Sequence, residues 1–152
     1  MMHCGLLGQK LSHSYSPAIH SMLGDYEYKL YETEPENVET FLRKGDFDAL
    51  NVTIPYKREV MALLDDLSHD ARLVGAVNCV RRTADSRLVG HNTDVIGLRA
   101  AFDCLLGGEQ PSHALVLGTG GASQAVQYVL AERGIPFDLV SRDTAKGNYT
   151  YD

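Results

Sequence analysis

Five short stretches of this chain collect residue types that bind polar ligands or move protons. Ser12-His13-Ser14-Tyr15-Ser16-Pro17 sets three hydroxyls at alternate positions. Just ahead of a helix start, such hydroxyls can donate to a carboxylate or a polyol, although a plain helix cap also accounts for Ser16. In Asn51-Val52-Thr53-Ile54-Pro55-Tyr56-Lys57, the two-residue period of a strand sends Asn51 and Thr53 to one face, and Pro55 breaks the ladder before Lys57. Polar groups at the C-terminal end of a strand face the usual ligand crevice of an α/β sheet. Gly75-Ala76-Val77-Asn78 adds an amide, and Gly90-His91-Asn92-Thr93-Asp94 adds a carboxylate at a helix start, where Asp94 could also be a simple N-cap.

The fifth stretch, Gly118-Thr119-Gly120-Gly121-Ala122-Ser123, follows an apolar run and opens a helical one. That is the setting in which a Gly-rich turn lets backbone approach a pyrophosphate at a helix N-terminus, although Ser123 replaces the third glycine of the usual fingerprint. At the end of the next strand stand Ser141-Arg142, with Lys146 shortly after. A planar guanidinium there favours a 2′-phosphate, and the carboxylate an NAD-specific site would carry is missing. Asp143 works against that preference, and a solvated surface pair is the bland alternative. His13 and His20 lack companion ligands, so they read as solvent-facing or core histidines rather than metal ligands.

These stretches need a scaffold, and the apolar runs supply one. Strands are expected at 3–7, 26–31, 48–54, 76–82, 87–91, 113–117 and 137–141. Helices are expected at 17–23, 35–44, 59–65, 69–74, 94–106 and 120–133. The alternation predicts an α/β fold: a mostly parallel open sheet over residues 1–107, a linker at Gly107-Gly108-Glu109-Gln110-Pro111-Ser112, and a partial Rossmann βαβ unit over 112–152. A lone βαβ unit leaves sheet edges and helix-facing surfaces to be covered by further residues, by the first domain or by another chain.

With 152 residues, 44% of them hydrophobic, the chain is long enough for one ordinary domain with part of a second. Its charge is −6, and it has no basic stripe, so nucleic acid is not an expected partner. No run approaches a membrane span, and the N-terminus lacks the pattern of a signal peptide, so a cytoplasmic protein without membrane partners is expected. Cys4, Cys79 and Cys104 are odd in number and far apart, which fits reduced, structural thiols.

Taken in order, the motifs resemble the shikimate dehydrogenase family. The resemblance runs from Gly5-Leu6-Leu7-Gly8 and Leu11-Ser12-His13-Ser14-Tyr15-Ser16-Pro17-Ala18-Ile19-His20 through Asn51–Lys57, Gly75–Asn78 and Gly90–Gly97 to Gly118–Ser123, and Ser141-Arg142-Asp143 looks like a variant of the family's Asn-Arg-Thr segment. It implies NADP-dependent reduction of 3-dehydroshikimate to shikimate, on the route to chorismate and the aromatic amino acids. It also implies Ser14 and Ser16 on the substrate carboxylate, Thr53, Asn78 and Asp94 on the ring hydroxyls, Asn51 lining the pocket, and Lys57 with Asp94 as the catalytic pair. NADP would lie on Gly118, Gly120, Gly121, Ala122, Ser123, Ser141, Arg142 and Lys146. Family members continue for roughly another hundred residues, so the chain reads as a partial one, as a monomer or homodimer. A quinate/shikimate dehydrogenase using NAD or NADP, or a non-catalytic shikimate-binding fragment that self-associates, are the alternatives.

Overall fold

The computed structural model describes residues 1–151, which form two compact units, Met1–His91 and a second from Asn92 onward. In the first, the strands are β1 (His3–Gly8), β2 (Glu27–Glu32), β3 (Ala49–Val52), β4 (Asp66–Leu67), β5 (Cys79–Arg82) and β6 (Leu88–His91). The helices are α1 (Ser16–Leu23), α2 (Val38–Lys44) and α3 (His69–Val74), with 3-10 turns at Pro35–Asn37 and Glu59–Leu63. The second unit holds α4 (Asp94–Leu106), β7 (Ala114–Leu117), α5 (Gly121–Glu132) and β8 (Phe137–Val140).

The first unit is a six-stranded sheet in the order β2-β1-β3-β5-β6-β4. The pairings β1–β2, β1–β3 and β4–β6 are parallel, and β3–β5 and β5–β6 are antiparallel. The mixed but mostly parallel sheet agrees with the expected fold class. Its main core cluster lies on one face, where Leu7, Leu50, Val52 and Val80 meet Val38 and Leu42 from α2 and the wholly buried Tyr56 and Val60; Cys4 and Leu6 are buried on the other. Val38 and Leu42 are four residues apart, so they share one side of α2, while Leu50 and Val52 alternate inward along β3. α3 is capped by the Ser68 hydroxyl, which accepts from Ala71 N–H at 3.2 Å, and closes at Gly75 with φ +70°, a conformation that glycine adopts without penalty.

Several local expectations are corrected. β3 ends at Val52 rather than Ile54, Glu59–Leu63 is 3-10 rather than α, and the two-residue β4 was not anticipated at all. Ser16 is the first helical residue of α1, not its cap; the residue before the helix is Tyr15, which makes no side-chain cap bond. Cys4 is buried as expected of a structural thiol, but Cys104 is exposed.

In the second unit β7 and β8 pair in parallel. Val116, Leu130 and Ile135 form a small core with Phe102, Val126 and Phe137 around it. The units divide ahead of the linker expected at 107–112 because α4 packs with α5: Phe102 joins that core, Arg99 makes a two-pronged bond to Glu132 at 2.8 Å, and Arg133 reaches Asp103 at 2.6 Å. After β8 the described residues form no helix; Tyr149 bridges in parallel to Val140, and the Asn148 side chain accepts from Leu139 N–H at 2.8 Å. Among the described residues no helix is long and apolar enough to cross a membrane.

Candidate functional site

In the first unit a crevice opens where β1 ends. The chain turns after Gly8 into a loop held by two bonds, Leu11 N–H to Glu32 Oε1 at 2.6 Å and Ser14 N–H to the Leu11 carbonyl at 2.9 Å. Ser14 Oγ in turn accepts from Ser16 N–H at 3.2 Å, which fixes the spacing of the two hydroxyls. The crevice is lined by Leu6, Lys10, Leu11, Ser12, His13, Ser14, Ser16 and Thr53. The structure therefore brings Thr53 together with Ser14 and Ser16, from which it lies far in sequence. Among the described residues its ionisable lining is Lys10 and His13, with no carboxylate, so the crevice suits an anion with polar substituents. Gly8 is required by packing: a Cβ there would lie 2.6 Å from Leu11 Cδ2 and 2.7 Å from Thr53 Cγ2.

Lys57 and Asn78 are pinned beside Thr53 through the backbone. Thr53 N–H donates to the Leu7 carbonyl at 2.9 Å, Val52 N–H to the Asn78 carbonyl at 2.8 Å, and Val77 N–H to the Lys57 carbonyl at 2.7 Å. The Ile54–Pro55 peptide is cis. The next residue, Tyr56, anchors the loop: its ring is wholly buried and its hydroxyl donates to the Thr33 carbonyl at 2.5 Å. Asn78 is buried and Lys57 half-buried.

Asn51 stands in register with Leu6 across the β1–β3 pair. Its Oδ1 accepts from the Tyr28 hydroxyl at 2.8 Å. Burial pushes the Tyr28 hydroxyl up to about 12, a hydrogen bond with Ser16 offsetting part of the rise, so it is a neutral donor at physiological pH. Tyr28, Lys10 and Tyr56 were not singled out from the sequence. The place of Tyr28 opposite Cys4 is set by the β1–β2 register, which the sequence does not display, and the alternation of β1 puts Cys4 on the same face as Leu6.

In the second unit Asp94 is the first residue of α4. Thr93, the residue before it, makes no side-chain cap bond, and Asn92, 2% exposed, accepts from Val95 N–H through its Oδ1 at 3.3 Å. The Gly-rich turn leaves β7 through Gly118, whose φ is +105°, and enters α5 at Gly121. Among the described residues nothing lies within 4 Å of where a Cβ on Gly120 would stand, so these leave the backbone there open to a bulky group. Gly118, Thr119, Gly120, Ser141, Arg142, Asp143, Lys146 and Tyr151 line one pocket. Gly121, Ala122 and Ser123 form the first turn of α5 behind it, and Ser123 Oγ is taken by Gln127 Nε2–H at 3.0 Å. Open glycine backbone beside two cationic side chains fits a phosphorylated dinucleotide.

Comparison with known proteins agrees with these features. Residues 6–80 match the shikimate dehydrogenase substrate binding domain. A shikimate dehydrogenase (NADP(+)) from Clostridium beijerinckii is 41% identical over 157 residues, covering 95% of this chain and 56% of that protein. Among solved structures, shikimate dehydrogenase 1 from Peptoclostridium difficile superposes with a TM-score of 0.87 at 34% identity, covering 100% of this chain and 60% of that one. The Thermus thermophilus shikimate 5-dehydrogenase in complex with NADP(H) and shikimate gives 0.82 at 34% identity, covering 96% and 58%. The chain spans about half the length of the curated relatives it matches. With its own motifs, its sheet topology and these relatives in agreement, the chain belongs to the shikimate dehydrogenase family.

Proposed function

We infer that this chain carries the substrate-binding part, and part of the NADP-binding part, of an enzyme that interconverts 3-dehydroshikimate and shikimate in the cytoplasm. The observation that carries this is the meeting of Ser14, Ser16 and Thr53 in one crevice whose described lining includes the cationic Lys10. Ser14 and Ser16 take the carboxylate of the substrate, Thr53 and Asn78 its ring hydroxyls together with Asp94, and Asn51 lines the same pocket. Gly118, Gly120 and the α5 start at Gly121, Ala122 and Ser123 take the pyrophosphate, and Ser141, Arg142 and Lys146 the 2′-phosphate.

NADPH, when bound, supplies the hydride for the C3 carbonyl. Lys57 gives its proton to the oxygen on which negative charge develops, and in the reverse direction takes it back from the hydroxyl. Asp94 is the other member of the catalytic pair that the family resemblance implies. Such positioned acid–base help is worth ~10²–10⁴ in rate.

Calorimetric titration of the chain with shikimate tests the reading, repeated with Ser14→Ala and Lys57→Met. Loss of one charge-assisted hydrogen bond predicts about 10-fold weaker binding or more for Ser14→Ala. Lys57→Met should retain binding within about threefold, because a proton donor acts mainly on the transition state, yet abolish any NADPH formation from shikimate and NADP⁺. A wild-type chain that is folded but takes up no shikimate, or a Lys57→Met variant that keeps its turnover, would sink it.

A further inference from the structure

The loop that carries the crevice serines also carries a lysine. Lys10 lines the same crevice as Ser14, Ser16 and Thr53, and its two chain neighbours are tied down on either side of it. Gln9 Nε2–H donates to Glu34 Oε2 at 3.0 Å, and Leu11 N–H donates to Glu32 Oε1 at 2.6 Å. The Gly8 carbonyl accepts from Thr33 N–H at 3.1 Å. The backbone that presents Lys10 is therefore fastened to the end of β2 and the residues after it, which fixes where the side chain starts.

The same bonds occupy the carboxylates of that anchor. Glu32 and Glu34 accept from neutral donors, and among the described residues Lys10 makes no ion pair. Lys29, Arg43, Arg133 and Lys146, by contrast, each hold a carboxylate at the surface. In a chain of net charge −6, the ammonium of Lys10 stands in the crevice lining with its charge unanswered by the loop that carries it.

The crevice hydroxyls do not by themselves choose an acid. Ser14 Oγ already accepts from Ser16 N–H at 3.2 Å, and the O–H that remains donates to an ester or an alcohol as well as to a carboxylate. A carboxylate taken partly out of water needs a countercharge, which neutral donors do not supply. We propose that Lys10 is the specificity-determining residue of the crevice: its ammonium is the countercharge to the carboxylate that Ser14 and Ser16 hold, and it selects the acid over its neutral derivatives. This rests on the shikimate reading for the identity of the ligand. A lysine that only kept the loop solvated would be indifferent to the charge of what binds beside it.

Calorimetric titration of the 152-residue chain with shikimate and with its methyl ester separates the two roles, because the ester keeps the ring and its hydroxyls and lacks the charge. The wild type should bind the acid about 10-fold or more tighter than the ester. Lys10→Met should weaken shikimate binding by about 10-fold or more and change ester binding by less than about twofold, since Coulomb attraction needs both charges. Lys10→Arg keeps the charge and should hold shikimate within about threefold of the wild type. Rising ionic strength should erode shikimate binding more in the wild type than in Lys10→Met. Equal losses for acid and ester in Lys10→Met, or wild-type affinity for shikimate in that variant, would overturn the proposal and leave the shikimate reading standing. A wild type that binds the ester as tightly as the acid would do the same. A folded wild-type chain that takes up neither ligand would overturn both.

Discussion

The Tyr56 hydroxyl donates to the carbonyl of Thr33 at 2.5 Å, from a ring with no solvent exposure. That bond ties the loop carrying Lys57 to the segment after β2, and burial raises the Tyr56 hydroxyl above its ordinary range, so it stays a neutral donor. Tyr56→Phe keeps the ring's packing and strands the carbonyl, which should cost about 1–3 kcal/mol. Tyr56→Ala also leaves a ring-sized cavity in the core and should cost about 3–5 kcal/mol. Urea midpoints at constant slope measure both, and equal losses in the two variants would contradict the assignment of two separable contributions.

Gly8 carries a second demand of the same crevice. An added Cβ would press on Leu11 and on Thr53, one from the serine loop and one from the end of β3. Gly8→Ala should destabilise by about 1–3 kcal/mol through overpacking and lower shikimate affinity more than Tyr56→Phe does, since it displaces lining residues directly. Wild-type affinity in a folded Gly8→Ala chain would mean that the crevice yields without loss.

How far these features could be read in advance depends on their range. The placement of Asn51 and Thr53 opposite Leu50 and Val52 follows from a two-residue period that is present in seven consecutive letters. β4 could not be read, because two residues have no period; its pairing with β6 is visible only once β6 exists. The grouping of α4 with α5 rests on Phe102, Arg99 and Asp103 meeting partners some thirty positions later. His20 looked like an isolated histidine for the same reason: its stack on Tyr28 comes from α1 settling over β2 and from β2 lying parallel to β1. The crevice serines were legible as a motif, yet the capping role given to Ser16 was not kept, since its backbone N–H bonds to Ser14 instead.

His20 also leaves a mark on stability. Burial lowers it below its ordinary value of 6.5, with Asn51 offsetting part of the shift. The folded chain then takes up a proton at lower pH than the unfolded chain does. Its contribution is fully present above pH 6.5 and is lost as pH falls toward and through the folded value. Urea midpoints on either side of pH 6.5 should therefore drop more on the acid side in the wild type than in His20→Gln, which carries no titrating group at that position. Parallel pH dependence in the two proteins would assign the acid sensitivity to other groups.

The last prediction concerns the pocket at the Gly-rich turn. Lys146 Nζ lies 3.2 Å from Asp143 Oδ2. The Ala145 N–H and Lys146 hold the Asp143 carboxyl below its usual range, so it is a full anion at neutral pH and part of the Lys146 charge is already answered. Arg142, exposed in the same pocket, is then the cation best placed to meet a 2′-phosphate with its planar fork. Arg142→Ala should weaken NADP⁺ binding by about 10-fold or more, as expected for loss of a charge-assisted hydrogen bond, and change NAD⁺ binding by less than about twofold, since NAD⁺ has no 2′-phosphate to lose. Asp143→Asn should act in the opposite direction by releasing Lys146. Titration of each variant with both nucleotides decides the matter: if Arg142→Ala weakens the two equally, the guanidinium is not reading the phosphate.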